Sequence, residues 1–414
     1  MTMTGKRLGL LSATAAVLAL LLSACGADPT ATPQPTATAT PLPGATSTPT
    51  PDAAALFQIE WDALIEAAQA EGDLILVFGG AAGRNFRPIA AVFEEKFGIT
   101  PTIATGSGST HVNRVLAERN AGQFLVDVMY GGATSVNERM IPANALDPIA
   151  ELFIHPEVTD KSLWFGGKHW YADPEQKYIF TFAARGGPTN LTMRYNTDLV
   201  SQEDIDGFNS VFDYLDPKWA GQIVAHIPGG GGGGGTYYLT YVHPDIGPGW
   251  IDAFVAPEFG VTFSNDAPFI IDGIAKGKFA MGIAVGGAGR DLDALGGLGA
   301  PVATIHKDFE EGGSMTASSS IHLMTIPTDR PNPNAAKLWV NWWLTKEAQT
   351  LMHTIPEAEA EPTLREDVTD WGKTKEIDRK VPGQSYYFFT SDPELVKLRA
   401  EALAYADAAY QAAR

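Results

Sequence analysis

Three apolar runs, each followed by a glycine-rich loop and an amphipathic stretch, organise the first half of the chain. Asp73–Phe78 (DLILVF) reads as a buried strand, and Thr100–Thr105 and Phe124–Tyr130 as two more. Between them, Phe86, Ile89, Ala90, Phe93 and Phe97 keep helical spacing, as do Val112, Val115 and Leu116. Asn85 is placed to cap the first of these helices and Gly98 to close it. Upstream, Trp61, Leu64, Ile65 and Ala68 stand at i, i+3, i+4 and i+7, predicting another helix. Strand–helix–strand alternation predicts a parallel, doubly wound sheet, since crossovers of this kind are right-handed. The loops 79–84, 106–111 and 131–135 then share one edge, at the carboxyl ends of the strands, where open α/β sheets bind ligands.

A second region repeats the plan. Leu191–Asn196, Ile223–Ile227 and Phe279–Val285 read as strands, and Val211, Phe212 and Leu215 as one face of a helix. The second of these strands enters a run of seven glycines, 229–235, and the third enters Gly286-Gly287-Ala288-Gly289-Arg290. Two α/β lobes with facing loop edges make a cleft. Further on, Ala335, Leu338, Trp339, Trp342 and Trp343 form a helical stripe read as core, and Asp392-Pro393 opens a last helix with Leu395, Leu398 and Ala402 inward.

The start of the chain has a different texture. Lys6 and Arg7 precede an apolar stretch, Leu8–Leu22, shorter than the roughly 20 residues of a membrane-spanning helix. It ends Leu22-Ser23-Ala24-Cys25, which looks like the lipobox of bacterial lipoproteins, so residues 1–24 are expected to be a signal peptide and Cys25 a lipidated residue. From Asp28 to Asp52 the chain is almost entirely Thr, Pro and Ala, a composition that cannot pack a core, and residues 25–55 are expected to be a tether.

Hydrophobic residues make up 45% of the 414, enough for two or three packed bodies. With 29 Lys and Arg against 48 Asp and Glu, the formal net charge of -19 speaks against a nucleic-acid partner, which needs clustered positive charge. The single cysteine excludes a disulfide scaffold and Cys-rich metal sites. No GxxxxGK[ST], GxSxG or HExxH occurs, and the eight histidines are scattered, so no catalytic residue, metal site or cofactor is expected. The candidate ligand contacts are Gly80, Arg84, Ser107, Ser109, Thr110, His111, Thr134 and Ser135 in the first lobe, and Gly234, Thr236, Tyr237 and Arg290 in the second. Glycine-backed N–H groups, hydroxyls and arginines suit a polar or anionic solute.

Four stretches carry a resemblance to a known family: Phe93–Ile99 (FEEKFGI), Arg194–Val200 (RYNTDLV), Leu215–Ile223 (LDPKWAGQI) and Asn332–Leu351 (NPNAAKLWVNWWLTKEAQTL). Together with the lipobox and tether, the chain resembles the solute-binding lipoproteins of bacterial ABC importers, in the branch that contains ferric-iron and aminoethylphosphonate binders. The resemblance implies a periplasmic-binding-protein-like α/β fold with two hinged lobes, residues 56–185 plus 305–414 and residues 186–304. It implies a monomer tethered to the membrane outside the cytoplasm, capturing a small solute in the inter-lobe cleft and docking on a permease. The ferric members carry two adjacent tyrosines just after the strand matching Phe279–Val285, where this chain has Gly286–Gly289. Iron is therefore the runner-up ligand, and an extracytoplasmic hydrolase or transferase on the same fold is the rival function.

Overall fold

The computed structural model describes residues 52–79, 81–229, 232–317, 322–358, 361–374, 379–381 and 384–414. The expected signal peptide, the lipidated Cys25 and nearly all of the tether lie outside the described residues, as does Gly80. Helix α1 begins at Ala53 and runs to Glu71, so the last residues of the expected tether are helical.

In the first lobe, strands β1 (Asp73–Gly79), β2 (Thr100–Gly106) and β3 (Val128–Tyr130) form a parallel sheet in the order β2-β1-β3. β1 pairs with β2 from Asp73↔Thr100 to Gly79↔Gly106, which aligns their loop ends. Helix α2 (Arg87–Phe97) and helix α3 (Gly108–Asn120) supply the crossovers. α2 buries Ile89, Ala90, Phe93 and Phe97 and ends on Gly98 at φ 71°, a left-handed position that glycine adopts without a Cβ clash. Its start is not set by Asn85: a short 3-10 turn, Ala81–Phe86, leads straight into Arg87. The tryptophan stripe is core. Trp339, Trp342 and Trp343 are buried, and Trp339 Nε1 donates to Tyr130 Oη at 2.7 Å, satisfying the hydroxyl of a ring stacked 4.2 Å from Phe78.

The second lobe holds a five-stranded sheet in the order Thr262–Phe263, Ile223–Ala225, Met281–Gly282, Arg194–Asn196, Val302–Thr304. The first three are mutually parallel, while Arg194–Asn196 is antiparallel to both its neighbours, so the second lobe does not simply repeat the first. That strand is also shorter than the apolar pattern suggests. Leu191 and Thr192 sit at φ 52° and 46°, a left-handed turn no strand can contain, held by Thr192 N–H donating to Asn190 Oδ1 at 3.0 Å. The stretch 211–215 is a 3-10 turn rather than an α-helix, fixed by a capping box in which Ser210 and Asp213 satisfy each other's main chain.

The two lobes have separate cores, one built around Phe78, Tyr130 and Trp343, the other around Tyr214, Trp250 and Met281. Between them the strands Arg185–Pro188, Gly313–Thr316 and Tyr386–Tyr387 lie side by side in one small sheet. The chain therefore crosses three times, not twice. Phe388 packs in the first core and Phe389 in the second. This corrects the assignment of residues 305–414 to lobe one. Ile305 and Phe309 belong to the second core, and so does the last helix, Arg399–Ala412, which buries Ala402, Ala406 and Tyr410 there. Tyr238 Oη fastens this return, its one proton shared between Phe389 O at 2.7 Å and Leu395 O at 2.8 Å.

Candidate functional site

The three loops of the first lobe meet because their glycines let main chains touch. A Cβ on Gly79 would lie 2.9 Å from Gly108 Cα, and one on Gly108 3.6 Å from Gly132 N. The α3 end of this junction is tied by Ser107, whose Oγ accepts from Thr110 N–H at 3.1 Å and hydrogen-bonds Thr110 Oγ1 at 2.6 Å and Ser109 Oγ at 3.2 Å. Ser107, Ser109 and Thr110 are exposed, so these hydroxyls face solvent at the strand tips. Thr134 is exposed and Ser135 half-buried. Arg84 lies in the 3-10 turn after β1.

His111 is placed differently from its neighbours. It is buried under the Gly106 turn, where a Cβ would stand 2.8 Å from its Nε2. Burial, helped by the Arg114 charge, holds its pKa below the usual histidine value, with the Phe78 main chain opposing. Neither ring nitrogen reaches a partner with hydrogen-bond geometry among the described residues. A neutral imidazole directly beneath the loop edge supports the loop from below.

In the second lobe the glycine run is a packing device. Its described part is wedged between strand tips on one side and the last helix on the other. A Cβ on Gly233 would be 2.5 Å from Ala284 O, one on Gly229 2.4 Å from Asp407 Cβ, and one on Gly286 only 2.1 Å from Gly232 O. The loops 229–235 and 286–290 thus touch main chain to main chain. Gly234 opens a helix, Gly234–Val242, with Thr236 half-buried in its first turn. Tyr237 does not face a ligand. It is fully buried and its Oη donates to His226 O at 2.8 Å, so the ring belongs to the core. Arg290 stands exposed near the start of the helix Ala288–Gly297.

One residue reaches across between the lobes that the sequence pattern does not single out. Arg399, at the start of the last helix, donates from Nη2 to Thr134 Oγ1 at 3.1 Å. Its guanidinium carbon lies 5.2 Å from the Tyr238 ring centroid. Burial lowers its pKa, with Tyr238 and Glu138 acting the other way. A cavity of about 300 Å³ among Val255, Phe263, Tyr410 and Arg414 lies toward the opposite end of that helix, and the strand-tip loops do not line it.

The model of the bacterial extracellular solute-binding protein family matches residues 79–350, which is 272 of the 414 residues. The chain belongs to the bacterial extracellular solute-binding proteins. No curated protein matches its sequence. Solved structures share the fold at low identity. The iron-bound protein HitA from Pseudomonas aeruginosa is 17% identical over 81% of this chain and 99% of its own, with a TM-score of 0.51. The Trichodesmium protein IdiA or FutA, in complex with iron and citrate, is 18% identical over 82% and 99%, with a TM-score of 0.56. The substrate-binding protein of an ABC transporter from Agrobacterium tumefaciens is 13% identical over 82% and 94%, with a TM-score of 0.51. The two-lobed α/β fold is thus the one used by the substrate-binding proteins of ABC transporters, including ferric binders. As a family member this solute-binding protein works outside the cytoplasm. Among the described residues no helix is long and apolar enough to cross a membrane.

Proposed function

We propose that this solute-binding protein captures a small anionic solute between its lobes, closes on it, and presents it to an ABC permease while held to the membrane by a lipid on Cys25. The observation that carries the reading is the arrangement of the loop edges. Glycine-backed loops of lobe one converge at Gly79, Gly108 and Gly132, and a cation of lobe two touches that edge at Thr134. The three crossings, side by side in one small sheet, form a natural hinge, and a solute that gains contacts from both sides favours the closed form. The positive end of the α3 dipole, at Gly108, also favours negative charge.

Iron fits this chain less well. The positions of the ferric members' paired tyrosines are glycines here, and among the described residues no three His, Cys, Asp or Glu side chains are grouped to hold a metal ion. The citrate in the Trichodesmium complex is a carboxylate anion of the kind proposed. Thermal-shift screening of citrate, phosphate, a sugar phosphate, neutral sugars, polyamines and Fe(III) tests the reading, because a ligand at a hundred times its Kd stabilises by about 2.7 kcal/mol. An anion should raise the melting temperature. A shift by Fe(III) without citrate, or by neutral sugars only, replaces the reading, and steady conversion of a bound solute to product replaces it with an enzyme.

A further inference from the structure

Arginine grips a carboxylate or phosphate best at two points, with neighbouring N–H groups donating to two oxygens. Three arginines here do so through the same edge, Nε with Nη2: Arg185 on Glu361, Arg194 on Asp293 and Arg365 on Asp367. Among the described residues no carboxylate sits on that edge of Arg399: Nη2 meets only the neutral hydroxyl of Thr134, and Nε is buried with no acceptor. Arg330 also leaves its Nε unmet, but that guanidinium is neutralised by Asp147 at 2.6 Å. Glu138 acts on Arg399 through space without forming an ion pair.

The guanidinium is held in this pose. It rests against Tyr238, and the Tyr238 hydroxyl is fixed by two carbonyls, Phe389 O and Leu395 O. A partly buried cation with one donor unmet is unfavourable unless an anion arrives. The guanidinium adjoins the loop edge at Thr134.

We propose that Arg399 is the lobe-two residue that selects for an anionic group on the solute, taking a carboxylate or phosphate on its Nε–Nη2 edge beside Thr134 of lobe one. The proposal rests on the cleft-binding reading above and names the group that would discriminate. An anion seated there touches both lobes at once, so closure and charge recognition become one event.

The test is calorimetric titration of the full chain with citrate, inorganic phosphate and neutral glucose, using wild type, Arg399→Gln and Arg399→Lys. Citrate and phosphate separate the two anion chemistries. Wild type should take at least one of them and not glucose. Arg399→Gln should weaken that binding roughly ten- to a hundredfold, and Arg399→Lys should recover part of the loss, keeping the charge without the fork. Arg399→Gln binding within twofold of wild type overturns the role of Arg399 and leaves the anionic cleft standing. Wild type that takes neither anion overturns both. Should the Gln variant unfold, the Lys variant decides, and affinity equal to wild type overturns the two-point contact.

Discussion

Glu361→Gln is expected to cost about 3 kcal/mol of folding stability at pH 7 and to flatten the acid limb of the stability curve. Glu361 is fully buried beside the first hinge strand, where it accepts from Arg185 Nε at 2.8 Å and Nη2, and pairs with His322 Nε2 at 3.0 Å. Burial alone would raise its pKa, but His322 and Arg185 outweigh burial and hold the carboxyl at about 2 instead of 4.5. A carboxylate with a depressed pKa stabilises the fold fully above its unfolded value. That contribution is lost as pH falls from 4.5 toward 2. At 1.36 kcal/mol for each unit of pKa it amounts to roughly 3 kcal/mol. Breaking a buried pair costs about 3–5 kcal/mol, and Arg185, 44% exposed and able to regain water, puts this case at the lower end. His353 acts in an earlier window. Burial, with Arg379 nearby, lowers its pKa from 6.5 to about 4, so the fold needs it neutral and loses that contribution as pH falls from 6.5 toward 4. Urea midpoints at pH 7, 5 and 3.5 should therefore fall throughout for wild type, through His353 alone from pH 7 to 5 and through both groups from pH 5 to 3.5. The variant should start lower and fall less between pH 5 and 3.5, keeping only the His353 part. Equal midpoints for the two proteins at every pH would remove Glu361 as the anchor of the hinge.

What the sequence could and could not convey follows from what each signal measures. Apolar runs report burial, so β1, β2 and the tryptophan helix were legible, as was the Asp392-Pro393 cap, where Asp392 accepts from Glu394 N–H at 2.9 Å. Burial does not say in which core. Phe388 and Phe389 are adjacent, equally apolar, and point to opposite lobes, so the third crossing was invisible and Arg399 with it. An aromatic residue after a glycine loop carries the same pattern whether it stacks on a ligand or fills a core, and Tyr237 fills a core. The glycine run reads in sequence as backbone donors for an anion. The distances of its described residues to Ala284, Asp407 and Gly286 show close approach instead, which depends on neighbours far along the chain.

That last point yields a paired prediction at two adjacent glycines. Gly286→Ala should be destabilising by roughly 2–4 kcal/mol, whereas Gly287→Ala should be neutral or stabilising by up to about 1 kcal/mol. Gly286 sits at φ 54°, and an L side chain in that region costs roughly 1–2 kcal/mol. Its new methyl would also stand 2.1 Å from the Gly232 carbonyl oxygen, a main-chain atom with no rotamer to escape into. Gly287 is helical at φ -60° and ψ -30°, with no atom of the described residues beyond its chain neighbours within 4 Å of a new Cβ, so alanine there only restricts the unfolded chain. Melting temperatures of the two variants should differ by several degrees. The displaced Gly232 segment and the shifted start of the helix Ala288–Gly297 should also weaken whichever anion stabilises the wild type, while Gly287→Ala keeps it. Equal melting of the two variants would mean that the strand-tip loops of lobe two are not packed main chain on main chain, and the glycine run would then owe its composition to conformational freedom rather than to contact.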